Sequence, residues 1–523
     1  MRITVQPSHT TLLKALQSAG HFLPAICNGR GTCGKCAVRV ISGTVAESPA
    51  DRARFSDEEL KNGWRLACQA FPVDVITVEI PDSGEQNFSA VDVFEDKGVG
   101  SGGAAMPRWG VGESHAGEAG SHGIAVDIGT TTLGFALVDF ASGKIAARYS
   151  AVNRQREYGA DVISRIQSAN NGNLGQLSGI IRSQISEGIA RVCTQAGIDA
   201  RRVAKIAVAG NTTMLHLLLN LSCETLGQAP FTPVTLDMTV IPYGEIFSGA
   251  LDCDVVTLPG ISTYVGADIT SGIFFSGLHE SKTPVALIDI GTNGELALIH
   301  EGKILCTATA AGPAFEGGNI LWGTGSVPGA ISHAQFKNGA WKLRTILDRP
   351  TSGICGSGVI DIVYQGLKNG LILPSGRLAE GQQNGFPLAK AGDGRDIIFC
   401  QKDVRELQLA KSAIRTGLDA LLNHTGLGYD DLGILYLAGG FGYHIFLECA
   451  AGIGLIPEPL LPKVSAIGNS SLGGAVQYLL WHAGGRGAAC DDVLGGIIGQ
   501  SVEFNLPDDD YFSENFVTNI NFE

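Results

Sequence analysis

Four cysteines near the amino terminus are the residues whose types and spacing most directly indicate chemistry. Cys27, Cys33 and Cys36 form a C-x5-C-x2-C run, and Cys68 follows after a gap of 31 residues. Thiolate sulfur binds both iron–sulfur clusters and zinc, and four cysteines suffice for either. Zinc sites usually combine two closely spaced cysteine pairs, whereas Cys68 has no second cysteine near it in the sequence. The spacing therefore favours an iron–sulfur cluster, with tetrahedral zinc as the alternative.

The cysteine run resembles that of the plant-type ferredoxins. That class uses C-x4-C-x2-C with a distant fourth ligand, and one extra residue in the first gap resembles its adrenodoxin-like and reductase-linked members. The resemblance implies a [2Fe-2S] cluster held by all four cysteines. Glycines at positions 29, 31 and 34 agree with it, because they let backbone amides turn toward the sulfur atoms.

The segments around the cysteines predict a small α/β domain. Apolar patterns predict strands over Ile3–Gln6, Ala37–Ile41 and Val75–Ile80, and a helix over Thr11–Ala19. The S-x-x-E sequence at 56–59 predicts a capping box that begins a second helix. This order of elements resembles the β-grasp ferredoxin fold, and we assign it to residues 1–85.

A glycine-rich segment follows this domain. Residues 98–123 are rich in glycine, with alanine, serine and isolated apolar and charged residues between the glycines, and they show no apolar periodicity. We therefore predict a flexible linker over 86–122, which would span on the order of 25–30 Å. The sequence leaves open whether it is a swinging arm or a passive spacer.

Two similar segments, 124–139 and 286–299, form an internal repeat. Each contains an apolar stretch, a D-I-G-T turn and a second apolar stretch, so that Asp127 aligns with Asp289. The pattern predicts two β-hairpins whose turns suit a nucleotide. Glycine lets the backbone approach phosphate, hydroxyls and amides bind its oxygens, and the carboxylate faces Mg²⁺. Two copies imply a duplicated domain with a cleft between its halves.

Three short stretches supply the candidate nucleotide-binding residues. Those of the two turns are Gly129, Thr130, Thr131, Thr132, Gly291, Thr292, Asn293 and Gly294. In the third stretch an apolar strand runs into Gly439, Gly440 and Gly442, where a purine could lie against bare backbone. The sequence contains no G-x-x-x-x-G-K-[ST] motif, which disfavours a P-loop enzyme.

These motifs, in this order, resemble the ATPase superfamily of actin, heat-shock chaperones and sugar kinases. The resemblance implies an α/β multi-domain protein in which an actin-like ATPase, made of two duplicated RNase H-like subdomains, occupies 123–523. We place its first half at about 123–283, its second half at about 284–480 and a C-terminal extension at 481–523. It also implies that ATP and Mg²⁺ bind there. On the basis of the repeat, we assign Asp127 and Asp289 to positioning Mg²⁺ and water. We assign Glu316, which precedes two glycines, to positioning the attacking water or ATP, with a purely structural turn as the alternative.

A ferredoxin domain joined to such an ATPase resembles the reductive activators of corrinoid proteins, as do segments 312–317 and 351–358. The resemblance implies ATP-dependent transfer of one electron from the [2Fe-2S] cluster to Co(II), which regenerates Co(I) for methyl transfer. The implied partners are a corrinoid protein of a methyltransferase system and a cellular low-potential electron donor, and a homodimer is left open. Longer activators carry an extra middle domain before the ATPase, which we expect this chain to lack.

Three other functions remain as alternatives. One is an ATP-driven electron donor for a different low-potential metalloenzyme. Another is a non-catalytic adaptor that senses redox state or ATP, and the third is a small-molecule kinase, for which a ferredoxin domain has no evident use. Measurable ATP turnover on adding a Co(II) protein would exclude the adaptor.

The composition of the chain limits the partners and the cellular location that we expect. The net charge of −14 argues against a nucleic-acid partner, and no apolar stretch is long enough for a membrane span. The first residues lack the apolar run of a signal peptide, so we expect a cytoplasmic, soluble protein. The other eight cysteines are widely spaced, and we interpret them, Cys355 included, as buried structural thiols.

Overall fold

The computed structural model describes residues 2–19, 23, 31, 36–80, 120–249, 251–392, 394–439 and 445–522. Cys27, Cys33, Gly440, Gly442 and nearly all of the predicted linker lie outside these residues. The chain divides into two compact units. The first comprises Met1–Asn87 and Arg154–Leu177, and the second Phe88–Asn153 and Ser178–Glu523.

The strands and α-helices have the following bounds. The strands are β1 (Arg2–Val5), β2 (Ala37–Ser42), β3 (Trp64–Leu66), β4 (Ile76–Glu79), β5 (His122–Ile128), β6 (Thr132–Asp139), β7 (Lys144–Val152), β8 (Val203–Gly210), β9 (Thr239–Pro242), β10 (Asp254–Thr257), β11 (Val285–Ile290), β12 (Gly294–His300), β13 (Lys303–Thr309), β14 (Ala330–Lys337), β15 (Ala340–Thr345), β16 (Gly353–Ile354), β17 (Phe386–Lys390), β18 (Asp396–Phe399), β19 (Ile434–Ala438), β20 (Val464–Gly468) and β21 (Ser501–Glu503). The helices are α1 (Leu12–Ser18), α2 (Pro49–Arg54), α3 (Asp57–Lys61), α4 (Val162–Ser168), α5 (Leu174–Ala196), α6 (Thr212–Leu219), α7 (Tyr243–Ile246), α8 (Ala267–Ser276), α9 (Gly356–Lys368), α10 (Gln401–Thr425), α11 (Leu447–Gly452), α12 (Ser470–Ala483), α13 (Gly487–Gln500) and α14 (Asp510–Thr518).

The amino-terminal segment folds around a sheet in the order β1-β4-β2-β3, in which every neighbouring pair is antiparallel. Leu12 and Leu16 of α1 are buried in the core beneath it. The predicted strands and the first helix match within two residues. The predicted capping box is confirmed, because Glu59 N–H donates to Ser56 Oγ at 3.3 Å and Ser56 N–H donates back to Glu59 Oε2 at 2.9 Å.

The second unit contains two six-stranded sheets with the same core order. One runs β7-β6-β5-β8-β10 with β9 beside β10, and the other runs β13-β12-β11-β19-β20 with β21 beside β13. In both, the first three strands of the half are antiparallel neighbours and the last two pair in parallel. The shared order confirms the duplicated RNase H-like architecture. β5 already begins at His122, the last residue of the predicted linker.

Helices α8 and α12 follow the fifth core strand of each half and pack closely together. A Cβ at Gly272 of α8 would lie 2.7 Å from the Ser470 Oγ atom, and one at Gly474 of α12 would lie 2.3 Å from the Ser271 carbonyl oxygen. Only glycine permits this approach, which joins the two halves of the duplicated domain directly.

The carboxyl-terminal residues belong to the second half. β21 pairs in parallel with β13, and α14 packs against α10, where the Ser412 hydroxyl donates to the Phe516 carbonyl oxygen at 2.5 Å. The segment predicted as an extension at 481–523 is therefore integrated into the second sheet and its covering helices. Among the described helices, none combines the length and apolar character required to cross a bilayer.

Candidate functional site

The first repeated turn joins β5 to β6 and is held by groups from the second half. Asp127 lies near the end of β5, where its two carboxylate oxygens accept hydrogen bonds from Ser471 Oγ at 2.7 Å and from Asn469 Nδ2 at 2.8 Å. A Cβ at Gly129 would lie 2.6 Å from the Thr132 carbonyl oxygen, so the tight turn requires glycine there. The predicted hairpin is thus confirmed, with its carboxylate at the interface of the halves.

The second turn has the same construction. Asp289 pairs across the sheet with Glu295 of β12 on one side and with Ala438 of β19 on the other. Within the turn, Gly291 N–H donates to the Asn293 carbonyl oxygen at 3.0 Å. Gly439 has a φ of +90°, and a Cβ there would lie 2.8 Å from Asp289 Oδ1. The glycine predicted for the adenosine loop therefore lies directly against the second carboxylate.

The two turns meet through threonine hydroxyls. Thr131 Oγ1 and Thr292 Oγ1 are 3.0 Å apart, and they donate to the same Glu316 Oε2 at 2.8 and 2.5 Å. The neighbouring Thr130 hydroxyl accepts a hydrogen bond from Asn211 Nδ2 at 3.0 Å. The structure therefore brings the predicted residues of both turns and Glu316 into one cleft.

Sequence reasoning assigned no role to Asp268 or Glu295, which face the same cleft. Asp268 lies in the first turn of α8, and a Cβ at the preceding Gly266 would lie 2.5 Å from Thr212 N. Glu295 is buried, and its carboxylate is hydrogen-bonded by the Asn293 side chain. The position of Asp268 in its helix could have indicated that it belongs to the site. Asp268 is the second residue of α8, just as Ser471, which bonds Asp127, is the second residue of α12.

Burial and mutual repulsion raise the pKa values of the carboxyl groups of Asp268, Asp289 and Glu295, which together form a buried cluster in the cleft. Burial, followed by the charge of Asp127, raises the pKa of Asp268 to about 7. Burial, followed by the charges of Asp268, Asp127 and Glu316, raises the pKa of Asp289 to about 8. The pKa of Glu295 is also raised, chiefly by burial. Such a cluster favours a cation, which would stabilise the ionised carboxylates, so the residues present fit Mg²⁺.

We expect Asp268→Asn to stabilise the nucleotide-free protein, and more at about pH 8 than at about pH 5.5. The unfolded carboxyl ionises near its ordinary value of 3.8, but the folded one only near 7. The unfolded state therefore loses its proton first, and the folded state becomes progressively less stable as the pH rises through this window. Asparagine keeps the oxygen that accepts the Ile269 N–H bond of 3.0 Å and removes the charge.

The measurement is the thermal unfolding midpoint of both proteins at the two pH values, without magnesium or nucleotide. Asp139→Asn is the control, because Asp139 lies at the opposite end of the β5–β6 hairpin, where it pairs with His122. An equal shift for Asp268→Asn at both pH values would contradict the repulsion argument.

A second candidate site lies beside the amino-terminal sheet, where two of the four predicted cysteine ligands are described. Cys36 precedes β2 and Cys68 follows β3, and the pairing of Ala37 with Leu66 places both at one end of the strand pair. Both side chains are buried. Gly31, between the remaining two cysteines in sequence, has a φ of +76°, and a Cβ there would lie 3.0 Å from Gln69 Cγ. Gly31 thus lies beside Gln69, the residue that follows Cys68, which fits a cluster held by Cys27, Cys33, Cys36 and Cys68.

Replacement of Cys68 by serine should remove the cluster or strongly reduce its occupancy, because thiolates hold the iron. We expect the visible absorbance, the iron content and the acid-labile sulfide to fall together. Cys193→Ser is the matched control, since Cys193 is equally buried but lies in α5. A colourless wild-type protein with bound zinc would contradict the [2Fe-2S] assignment.

Cys355 lies apart from these two sites. It is the N-cap residue of α9, it is buried, and its Sγ lies 3.3 Å from the Ile331 carbonyl oxygen. Burial raises the pKa of this thiol, which disfavours the reactive thiolate. These observations agree with the structural role expected from the sequence.

Family models match almost the entire chain. Residues 1–73 match a 2Fe-2S iron–sulfur cluster binding domain, 122–281 match the RACo middle region, and 283–523 match the C-terminal domain of RACo, the ASKHA domain. The expectation that the chain lacks a middle domain was therefore wrong. The family's middle region is the first half of the duplicated ATPase, so no additional domain is required between linker and ATPase.

Individual relatives agree with the family models. The corrinoid activation enzyme RamQ of Eubacterium limosum is 36% identical over 382 residues, which are 69% of this chain and 64% of RamQ. The [Co(II) methylated amine-specific corrinoid protein] reductase of Methanosarcina barkeri is 28% identical over 397 residues, 69% of this chain and 70% of that protein. This chain thus covers slightly less than two thirds of RamQ's length.

A solved structure extends the agreement to nearly the full length of the chain. The structure of a reductive activator for corrinoid, iron-sulfur protein covers 99% of this chain and 96% of its own, with a TM-score of 0.71 and 30% identity. With this agreement and matches to all three models, the chain belongs to the RACo family of corrinoid reductive activators.

Proposed function

We propose that this protein uses ATP to transfer one electron from its [2Fe-2S] cluster to the Co(II) centre of a corrinoid protein, which regenerates Co(I). The observation that carries the proposal is the meeting of the two repeated turns in one cleft, through Thr131, Thr292 and Glu316, in a chain that also has a ferredoxin domain. A kinase would need the first feature alone.

In the cleft, the turn residues bind and orient the nucleotide phosphates. We assign the hydroxyls of Thr130, Thr131 and Thr292, which lie in the cleft, to binding of the phosphate oxygens. We assign Gly129 and Gly291 to close approach of the phosphates to the turn backbone. Mg²⁺, held by Asp127 and Asp289, would supply charge compensation for phosphoryl transfer. The remaining assigned residues are Thr132, Asn293 and Gly294, which shape the turns, and Gly439, Gly440 and Gly442, which would receive the adenosine.

Glu316 has a separate role in the proposal. It follows Pro313 in a short 3₁₀ helix, and Gly317, with a φ of +74°, ends that helix directly after it. This turn fixes the carboxylate between the two threonines. We assign Glu316 to orienting the water that attacks the terminal phosphate, because a carboxylate within hydrogen-bond reach of both turns can accept a proton from that water.

Coupling of ATP binding to electron transfer requires a part of the protein with two alternative conformations. In this proposal, that part is the pair of halves that meet at the cleft. Asp127 of the first half is bonded by Asn469 and Ser471 of the second, and Thr131 is connected to Thr292. A nucleotide bound between these groups would favour one relative position of the halves over another. ATP can drive an uphill electron transfer only through such differential binding.

The cluster supplies a single electron at low potential, near −400 mV for the plant type. Electron transfer from this potential to Co(II) is uphill. Each 59 mV uphill reduces the equilibrium yield of a one-electron transfer about tenfold, so the transfer needs the coupled ATP step. The electron itself comes from a cellular low-potential donor.

Anaerobic mixing with a Co(II) corrinoid protein is the direct test. Chemically reduced protein should produce the Co(I) absorbance when ATP and Mg²⁺ are present, and ADP in place of ATP is the control. An adaptor would neither hydrolyse ATP nor change the cobalt spectrum, and either result would overturn the proposal.

A further inference from the structure

A group of metal-ligating side chains lies outside both sites. Among the residues that the structure describes, His482, Cys490 and Asp491 each offer one ligand atom, and these atoms lie within 4.8 Å of one another. His482 is in the last turn of α12, and the other two are in the first part of α13. We propose that these three residues form a binding site for a divalent metal ion such as zinc. The bound ion would link α12 to α13.

The local packing presents the ligand atoms to one another. The His482 Nε2 atom lies 3.2 Å from Asp491 Oδ1, and the ring lies against Tyr478 with centroids 4.2 Å apart. A Cβ at Gly487 would lie 2.7 Å from His482 Nδ1, so glycine at the start of α13 makes room for the imidazole. The ring is therefore held with its Nε2 atom directed toward the carboxylate.

The donor set selects the class of metal. Thiolate, imidazole and carboxylate together suit zinc, whereas magnesium and calcium prefer oxygen ligands alone. In a tetrahedral zinc site, ligand atoms lie about 3.5 Å apart. The 3.2 Å between His482 Nε2 and Asp491 Oδ1 already suits this geometry, and a pair at the 4.8 Å limit would need to close by roughly an ångström. Binding releases the Cys490 thiol proton to solvent and forms the metal–thiolate bond.

The exposure of the three side chains indicates the side from which a metal ion would bind. Cys490 is fully buried, whereas the Asp491 side chain is 39% exposed and that of His482 is 19% exposed. The ion would thus enter from the side of Asp491, with water as its fourth ligand. Such a site would fix the carboxyl-terminal end of α12, the helix whose amino-terminal end supplies Asn469 and Ser471 to Asp127.

The experiment uses the full-length protein with its iron–sulfur cluster intact. Zinc is titrated anaerobically against a competing fluorescent zinc chelator, while iron and acid-labile sulfide are measured to confirm that the cluster is retained. We expect one zinc ion per chain. Absorption spectroscopy at the zinc edge should show a single sulfur at about 2.3 Å, with nitrogen and oxygen ligands at about 2.0–2.1 Å.

Variants locate the site. Cys490→Ser and Asp491→Asn should each weaken zinc binding by at least about tenfold. Asp491→Asn guards against a folding defect, because its side chain is partly exposed, and Cys193→Ser is the control with a buried cysteine elsewhere. The proposal is overturned by an absence of zinc binding with the cluster retained, by several sulfur ligands, or by unchanged affinity in both variants.

Discussion

Asp127→Ala and Asp289→Ala should each reduce the rate of ATP hydrolysis by about two to three orders of magnitude, while the visible spectrum of the cluster stays unchanged. Phosphoryl transfer depends on positioning and on compensation of charge at the metal and phosphate oxygens. Each carboxylate lies one residue before the end of the first strand of its half and faces the same cleft. In the proposed site, removal of either one would leave the cleft unable to hold Mg²⁺ in a fixed place.

The chain offers a matched control for this experiment. Asp139→Ala removes a carboxylate from the same hairpin as Asp127 but at its opposite end. We expect this variant to hydrolyse ATP at the wild-type rate. Binding of a fluorescent nucleotide analogue should be measured in parallel, because it separates lost binding from lost chemistry. Wild-type hydrolysis in both cleft variants would mean that the nucleotide site is elsewhere.

The repeat made this part of the site predictable from sequence. Asp127 and Asp289 occur in nearly identical short segments, and a turn between two apolar strands is determined by local residue choice. The same holds for the capping box at Ser56, whose two partners are three residues apart. In both cases the interacting groups are neighbours in sequence, so a pattern within one window is enough to predict them.

The rest of the site depends on contacts between distant segments. Asp268 enters the cleft because α8 packs against α12, and the glycines that allow this approach, Gly272 and Gly474, belong to different halves. Asn469 and Ser471 bond Asp127 across more than three hundred residues of sequence. No local pattern encodes such a partnership, so a single sequence indicates the segment and not its partner.

Two other features were missed for separate reasons. β3 has only three residues, too few for an alternating pattern to be recognised, although its pairing with β2 positions Cys68. The middle domain was misjudged because the family's middle region and the first half of the ATPase are the same residues. The sequence repeat was interpreted correctly, but its correspondence to the family's domains was not.

Production of Co(I) should require the cluster and the ATP site together, although no residue belongs to both. Reduced protein without ATP should yield little Co(I), and oxidised protein with ATP should yield none, whereas reduced protein with ATP should yield most. The single variants should reproduce the omissions. Cys68→Ser should hydrolyse ATP without forming Co(I), and Asp289→Ala should carry a reducible cluster and form little.

Shortening the glycine-rich segment tests whether its length limits electron transfer from the ferredoxin domain. Residues 98–119 lie outside the described part of the chain, and their composition predicts a flexible linker that limits how far the cluster can reach. Deletion of half of this segment should slow Co(I) formation more than ATP hydrolysis, because reach affects the encounter and not the phosphoryl transfer. Replacement of the deleted residues by an equal length of glycine and serine is the control, and it should restore the rate. If reduced protein forms Co(I) equally well without nucleotide, ATP binding does not drive the electron transfer, and the coupling between the two sites is absent.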